Sequence, residues 1–153
     1  MVWDNPNGQQ IGWGVYLSTG PGEWKGYEWN CAIWADLDKW EAAPKAWIPE
    51  EDECGNSLLQ PKSEFARNKY VESLGLDPEK TVFISPVYDH HDPVYQVLVK
   101  PNMLKGKAND MGIGATCAKK TVSPDGETEN LHLDVTVPAD WRSWVIEGRP
   151  EDL

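Results

Sequence analysis

Basic residues are in short supply in this 153-residue chain: 14 Lys and Arg stand against 25 Asp and Glu, a formal net charge of −11 at pH 7. That balance excludes an even basic coat of the kind that grips nucleic acid or an acidic membrane. Cysteine is scarce too. Cys31, Cys54 and Cys117 are odd in number, widely spaced and free of any Cys-x-x-Cys pattern. The expectation is therefore three reduced, mostly packed thiols in a cytoplasmic protein, with no disulfide framework or zinc knuckle. No apolar run approaches the roughly 18 residues of a membrane span, and Met1-Val-Trp-Asp-Asn-Pro6 lacks the basic start and apolar stretch of a secretory signal. Nucleophile elbows of the Gly-x-Ser-x-Gly type are missing, as are repeats. Gly112-Ile-Gly114 ahead of Lys119-Lys120 matches neither a Walker loop nor a dinucleotide fingerprint and reads as a bend in a strand.

What the chain does have is tryptophan. Trp3, Trp13, Trp24, Trp29, Trp34, Trp40 and Trp47 crowd the first 47 residues, and Trp141 and Trp144 follow near the end. One indole removes roughly 150–250 Å² from water, an upper-bound gain of about 4–6 kcal/mol. Nine such rings need either a large shared core or a partner to cover some of them. The single N–H of each ring must also find an acceptor, which favours the margin of a core or an interface.

Charge is distributed unevenly. Residues 1–60 carry a net −7, residues 61–120 a net +2 and residues 121–153 a net −6. The middle third owes its sign to Lys100, Lys105, Lys107, Lys119 and Lys120, a lysine island suited either to a solvated loop or to phosphate and nucleic acid.

Local patterns predict an α+β, mainly β, single domain over residues 1–147 with about six mostly antiparallel strands, followed by a mobile tail at 148–153. Ile11 to Thr19 alternates as a strand, Gly20-Pro21-Gly22 turns, and Trp24 to Leu37 reads as a second strand, so these two form an expected hairpin. Ser63 to Leu74 is the main helix: Pro61 lies upstream, Ser63 can cap, Ala66, Tyr70, Val71 and Leu74 make a stripe, and Gly75 terminates. Residues 81–85 and 93–100 are predicted strands joined by 86–92. Segments 113–122 and 131–137 form a second expected hairpin around Ser123-Pro-Asp-Gly126. Asp140 can cap a short C-terminal helix bearing Trp141, Trp144 and Val145.

Asp36-Leu-Asp38 is the sharpest acidic pair: read as part of a strand, its two carboxylates share one face and suit a divalent cation. Gly14-Val-Tyr-Leu-Ser-Thr19 followed by Trp34-Ala-Asp-Leu-Asp38 resembles the first catalytic motif of archaeo-eukaryotic primase-polymerases. The resemblance implies Mg or Mn held by Asp36 and Asp38, with Asp134 as third acid and His90 or His91 contacting phosphate. It spans about 25 residues, and the hydroxyl residue that family places two before its histidine is replaced here by Tyr88 or Asp89. Adjacent strand residues point to opposite faces, so His90 and His91 reach a single ion only from an irregular loop. His132-Leu-Asp134 otherwise reads as the polar face of a hairpin.

The function these features favour is a non-catalytic, cofactor-free, acidic protein-binding module, of the inhibitor, immunity or viral accessory kind or a subunit of an assembly, docking on a basic partner. Its anchors would be Trp24, Trp29, Trp34, Trp40 and Trp47, rimmed by Glu23, Glu28, Asp36, Glu41, Glu50, Glu51, Asp52 and Glu53. The metal-dependent nucleotidyl-transfer reading stands second. Stacking of single-stranded nucleic acid or glycan on exposed rings stands third.

Overall fold

The computed structural model describes residues 9–19, 29–88, 94–104, 111–119, 121–122, 128–129, 140–151 and 153. At its centre lies a four-stranded sheet in the order β1 (Val15–Ser18), β5 (Tyr95–Val99), β4 (Val82–Pro86), β3 (Lys45–Trp47). β1, β5 and β4 are antiparallel neighbours, whereas β3 runs parallel to β4 with Lys45 opposite Val82 and Trp47 opposite Ile84. Glu147 extends the sheet past β3: its N–H donates to the Lys45 carbonyl and its own carbonyl accepts from Trp47 N–H.

Both faces of this sheet are covered, which explains why β4 and β5 are almost continuously apolar instead of alternating. On one face Ala46, Ile48, Phe83 and Leu98 pack with Ile11, Leu58, Leu59 and Val71 beneath α2 (Glu64–Ser73). On the other, Trp47, Val82, Ile84, Val97 and Val99 meet Met103 of α3 (Pro101–Leu104), Met111 and Trp141. Each buried Val, Leu, Ile, Phe and Met side chain among these contributes about 1.5–3 kcal/mol of transfer free energy. The result is the expected small α+β fold, mostly β.

A second unit stands beside the sheet. β2 (Trp29–Trp34) and β6 (Gly114–Lys119) form an antiparallel two-stranded ribbon, with Trp29 opposite Lys119 and Trp34 opposite Gly114. A shorter pair joins β7 (Thr121–Val122) to β8 (Thr128–Glu129). The expected hairpin between the first two strands is thus corrected, because β1 pairs with β5 and β2 with β6. Pairing partners are chosen by long-range packing, which the turn signal at Gly20-Pro21-Gly22 does not report.

The main helix falls where its stripe and Gly75 put it, although Ser63 makes no side-chain capping bond. Gly75 is left-handed at φ +79°. Asp140 caps as expected, accepting from Arg142 N–H, but the segment it opens is a 3₁₀ turn at Trp141–Ser143. Beyond it Arg149 lies over the Trp141 ring and donates to the Leu153 carbonyl. The segment 131–137 lies outside the described residues.

Candidate functional site

The tryptophans divide between core and surface. Trp47 is 4% exposed and stacks on Trp141, ring centroids 6.3 Å apart and planes 11° from parallel, with Tyr95 leaning on both. Trp40 meets Trp144 edge-on at 4.9 Å. Aromatic residues from both ends of the chain therefore build one cluster under the sheet, and Arg142 and Arg149 lie over the Trp141 ring. Trp47 is corrected from anchor to core residue, and Trp40 is half-buried. Trp24, with Glu23 and Glu28, lies outside the described residues.

Trp29 and Trp34 remain at the surface, each 51% exposed. Strand alternation sends them to opposite faces of the ribbon. Trp34 lies flat across the strand on Gly114: a Cβ at that glycine would come within 2.5 Å of the indole Cε2, Cζ2 and Nε1 atoms. Gly114 thus acts as a seat that fixes one side of the ring and leaves the other to solvent. Cys31 and Cys117, directly opposite each other in the ribbon, form a disulfide between positions 86 residues apart. This corrects the expectation of three reduced thiols, and only Cys54 is free. Nothing in the spacing of the three cysteines selects that pair; it follows from β2 meeting β6.

From Trp34 the chain runs directly into α1 (Leu37–Ala42). Asp36 is the N-cap of this helix, its Oδ1 accepting from Lys39 N–H at 3.1 Å, while its own N–H donates to the Met111 carbonyl. Asp38 sits in the first turn, where an acid complements the helix dipole. The two carboxylates are therefore helix-start residues and not neighbours on a strand, which corrects the geometry assumed for a metal pair. Among the described residues no group of three or more His, Cys, Asp and Glu side chains could hold a metal ion. Asp134, His90, His91 and His132 lie outside the described residues. Leu37, at 63% exposure, and Glu41 complete an open surface with Trp34, Asp36 and Asp38.

Of the remaining acids, Glu50, Glu51 and Glu53 are exposed and Asp52 shapes its own loop. The Asp52 carboxylate accepts from the Asn56 side chain, from Asn56 N–H and from Cys54 N–H, and these bonds, the Asn56 side chain first, hold its pKa below the ordinary carboxylate value. A cleft of about 800 Å³ lies between this loop and α2, lined by Cys54, Phe65, Lys69 and Tyr70 among others. Phe65 is 73% exposed there with the Lys69 ammonium over its ring.

The lysine island does not hold together as a surface. Lys119 is exposed, but Lys100 is only 2% exposed at the end of β5, its ammonium over the Phe83 ring. Lys105, Lys107 and Lys120 lie outside the described residues. Lys45 is likewise buried, and its ammonium donates to the Trp40 and Ala43 carbonyls at the end of α1. Burial lowers its pKa, with Glu41 opposing the shift.

Sequence reasoning also passed over Arg67, which is fully buried. One signal was available: Arg67 stands four residues before Val71 and so within the apolar stripe of α2. Trp13, 48% exposed, was likewise not among the expected anchors.

No described helix is long and apolar enough to cross a membrane. Neither the curated proteins nor the solved structures include a significant match to this chain. Residues 9–149, from the glutamine ahead of β1 to the arginine over Trp141, match the family model described as a family of unknown function (DUF5910), and the chain belongs to that family.

Proposed function

We propose that this protein is a non-catalytic binding module that docks on the basic surface of another protein through Trp34, with Leu37 beside it and Asp36, Asp38 and Glu41 at the rim. The observation that carries the reading is the seating of Trp34 on Gly114, which leaves a half-exposed indole in a fixed pose at the head of an acidic helix. A rigid aromatic loses little freedom on binding and supplies a large apolar contact, the usual make-up of an interface hot spot. The acids around it speed encounter with a cationic partner and discourage an anionic one. Trp29 presents a second ring on the other side of the same ribbon.

Stacking of single-stranded nucleic acid on Trp34 is disfavoured by those carboxylates. Trp29 lies opposite Lys119, so it is the ring to which a phosphate-bearing ligand would turn. The disulfide supports a compartment more oxidising than the cytosol, and the partner is sought there as well as in the cytoplasm.

The test is a pull-down from the native host with the wild type, Trp34→Ala, Trp29→Ala and Asp36→Asn/Asp38→Asn. Trp34→Ala is expected to weaken capture of a basic protein by roughly 30-fold, the equivalent of about 2 kcal/mol. Asp38→Lys/Glu41→Lys should slow association and flatten its dependence on salt. Capture that is indifferent to Trp34, combined with manganese binding lost in the double aspartate variant, would overturn the reading in favour of a metal site.

A further inference from the structure

Two cations meet in the core beneath α2 with no acid between them. Arg67 reaches inward from α2, and Lys100 turns in from the end of β5 on the same side of the sheet. The Arg67 Nη2 and the Lys100 Nζ each lie 3.4 Å from the point where a Cβ on Gly12 would stand. Gly12 holds φ +117°, a conformation that side chains rarely adopt, so a glycine keeps this corner open. Among the described residues no carboxylate comes within ion-pair distance of either cation. Glu79 and Glu64 act on Lys100, and Glu64 on Arg67, only from further away.

The guanidinium is held by one end alone. Its Nη1 donates to the carbonyls of Leu58 at 2.9 Å, Gln10 at 3.2 Å and Gln60 at 3.3 Å. Nε and Nη2 are buried and have no hydrogen-bond partner among the described residues. Those two nitrogens form the side edge of the guanidinium, whose parallel N–H bonds match two oxygens of a carboxylate or phosphate. Buried donors are almost always paired, and two like charges in one apolar corner are costly unless something negative neutralises them. Tyr16 adds no counter-charge: its hydroxyl accepts from Ile11 N–H and donates to the Gly12 carbonyl, and burial keeps it protonated.

We propose that Arg67, Lys100 and Gly12 form an internal site for a phosphoryl oxyanion, bound bidentate on the Arg67 Nε–Nη2 edge with a further oxygen toward the Lys100 ammonium. A dianion matches the two positive charges, which a single carboxylate does not. Three segments converge on the site, residues 10–12, α2 and the end of β5, so an anion there ties the segment ahead of β1 and the helix to the sheet. The site is independent of the Trp34 surface, and either can fail without the other.

The test is thermal unfolding and calorimetric titration of the full chain with inorganic phosphate, against chloride and acetate at matched ionic strength. Phosphate is expected to raise Tm saturably, following mass action, while chloride and acetate at equal ionic strength do not. Lys100→Met should weaken phosphate binding about tenfold or more and, in phosphate-free buffer, leave Tm equal to or above the wild type, because it removes an uncompensated buried charge. Gly12→Ala, which fills the corner, should abolish the phosphate response and keeps the test decisive if Arg67→Met fails to fold. A phosphomonoester that displaces inorganic phosphate identifies the terminal phosphate of a larger molecule as ligand; binding of inorganic phosphate that no phosphomonoester displaces identifies an enclosed ion. Equal Tm in phosphate and chloride, or an undiminished phosphate response in Lys100→Met, would overturn the proposal.

Discussion

At the scale of single residues the buried polar groups say most about how this chain is held. Tyr16 bridges Ile11 N–H and the Gly12 carbonyl, and burial pushes its phenol from 10.0 up to about 12. A phenol whose pKa is raised in the folded state contributes stability that is complete below pH 10 and fades as pH climbs toward 12, because the unfolded chain ionises first. The loss is about 3 kcal/mol. Tyr16→Phe leaves both backbone groups unpaired, so it should be less stable than the wild type by about 1–3 kcal/mol at neutral pH. That gap should narrow between pH 10 and 12, while Lys45 and Lys100 affect both proteins alike and cancel. Urea unfolding of the two proteins across that range checks it, and a gap independent of pH would contradict the role given to the hydroxyl. Arg67 was legible only as a charge inside an apolar stripe, and its chemistry depends on Gly12 and Lys100, which are distant in sequence.

At the scale of elements the ribbon is the part with least support. An isolated two-stranded sheet is marginal in water, and β2 with β6 has no described third strand. The disulfide compensates by closing a long loop, worth up to about 4 kcal/mol in the chain-entropy view. Reduction, or Cys31→Ser/Cys117→Ser, should therefore raise hydrogen exchange in 29–34 and 114–119 by tenfold or more while β4 and β5 keep their protection. Equal protection in both units after reduction would show that packing alone holds the ribbon. The elements also show where sequence patterns inform and where they stop. β4, β5 and α2 were legible because long apolar runs and a full helical stripe are local signals. α1 has no legible signal because six residues give too short a period, and the expected strand from Trp24 to Leu37 runs into its start. β3 has no local signal, because only its parallel contact with β4 makes Lys45-Ala-Trp47 a strand, and the disulfide has none because it follows from β2 meeting β6.

At the scale of the whole molecule the aromatic-rich ends of the chain have been divided between two tasks. Trp47, Trp40, Trp141 and Trp144 close the underside of the sheet, and Trp29 and Trp34 stay on the ribbon beside an acidic helix. The acids at the start of α1 thus lie beside Trp34, a ring that burial has left over, and that coincidence is what the docking proposal rests on. Fold class followed from composition and periodicity. The division of the rings did not, because it needs the C-terminal 3₁₀ turn placed under β3. Photo-crosslinking tests the account most directly: a photoreactive phenylalanine analogue is placed at position 34, and separately at position 47, in the otherwise native chain within its host. Covalent capture of a protein with a basic surface is expected from position 34, reduced by high salt, and none from position 47. Capture of nucleic acid from position 34, or equal capture from the two positions, would contradict it.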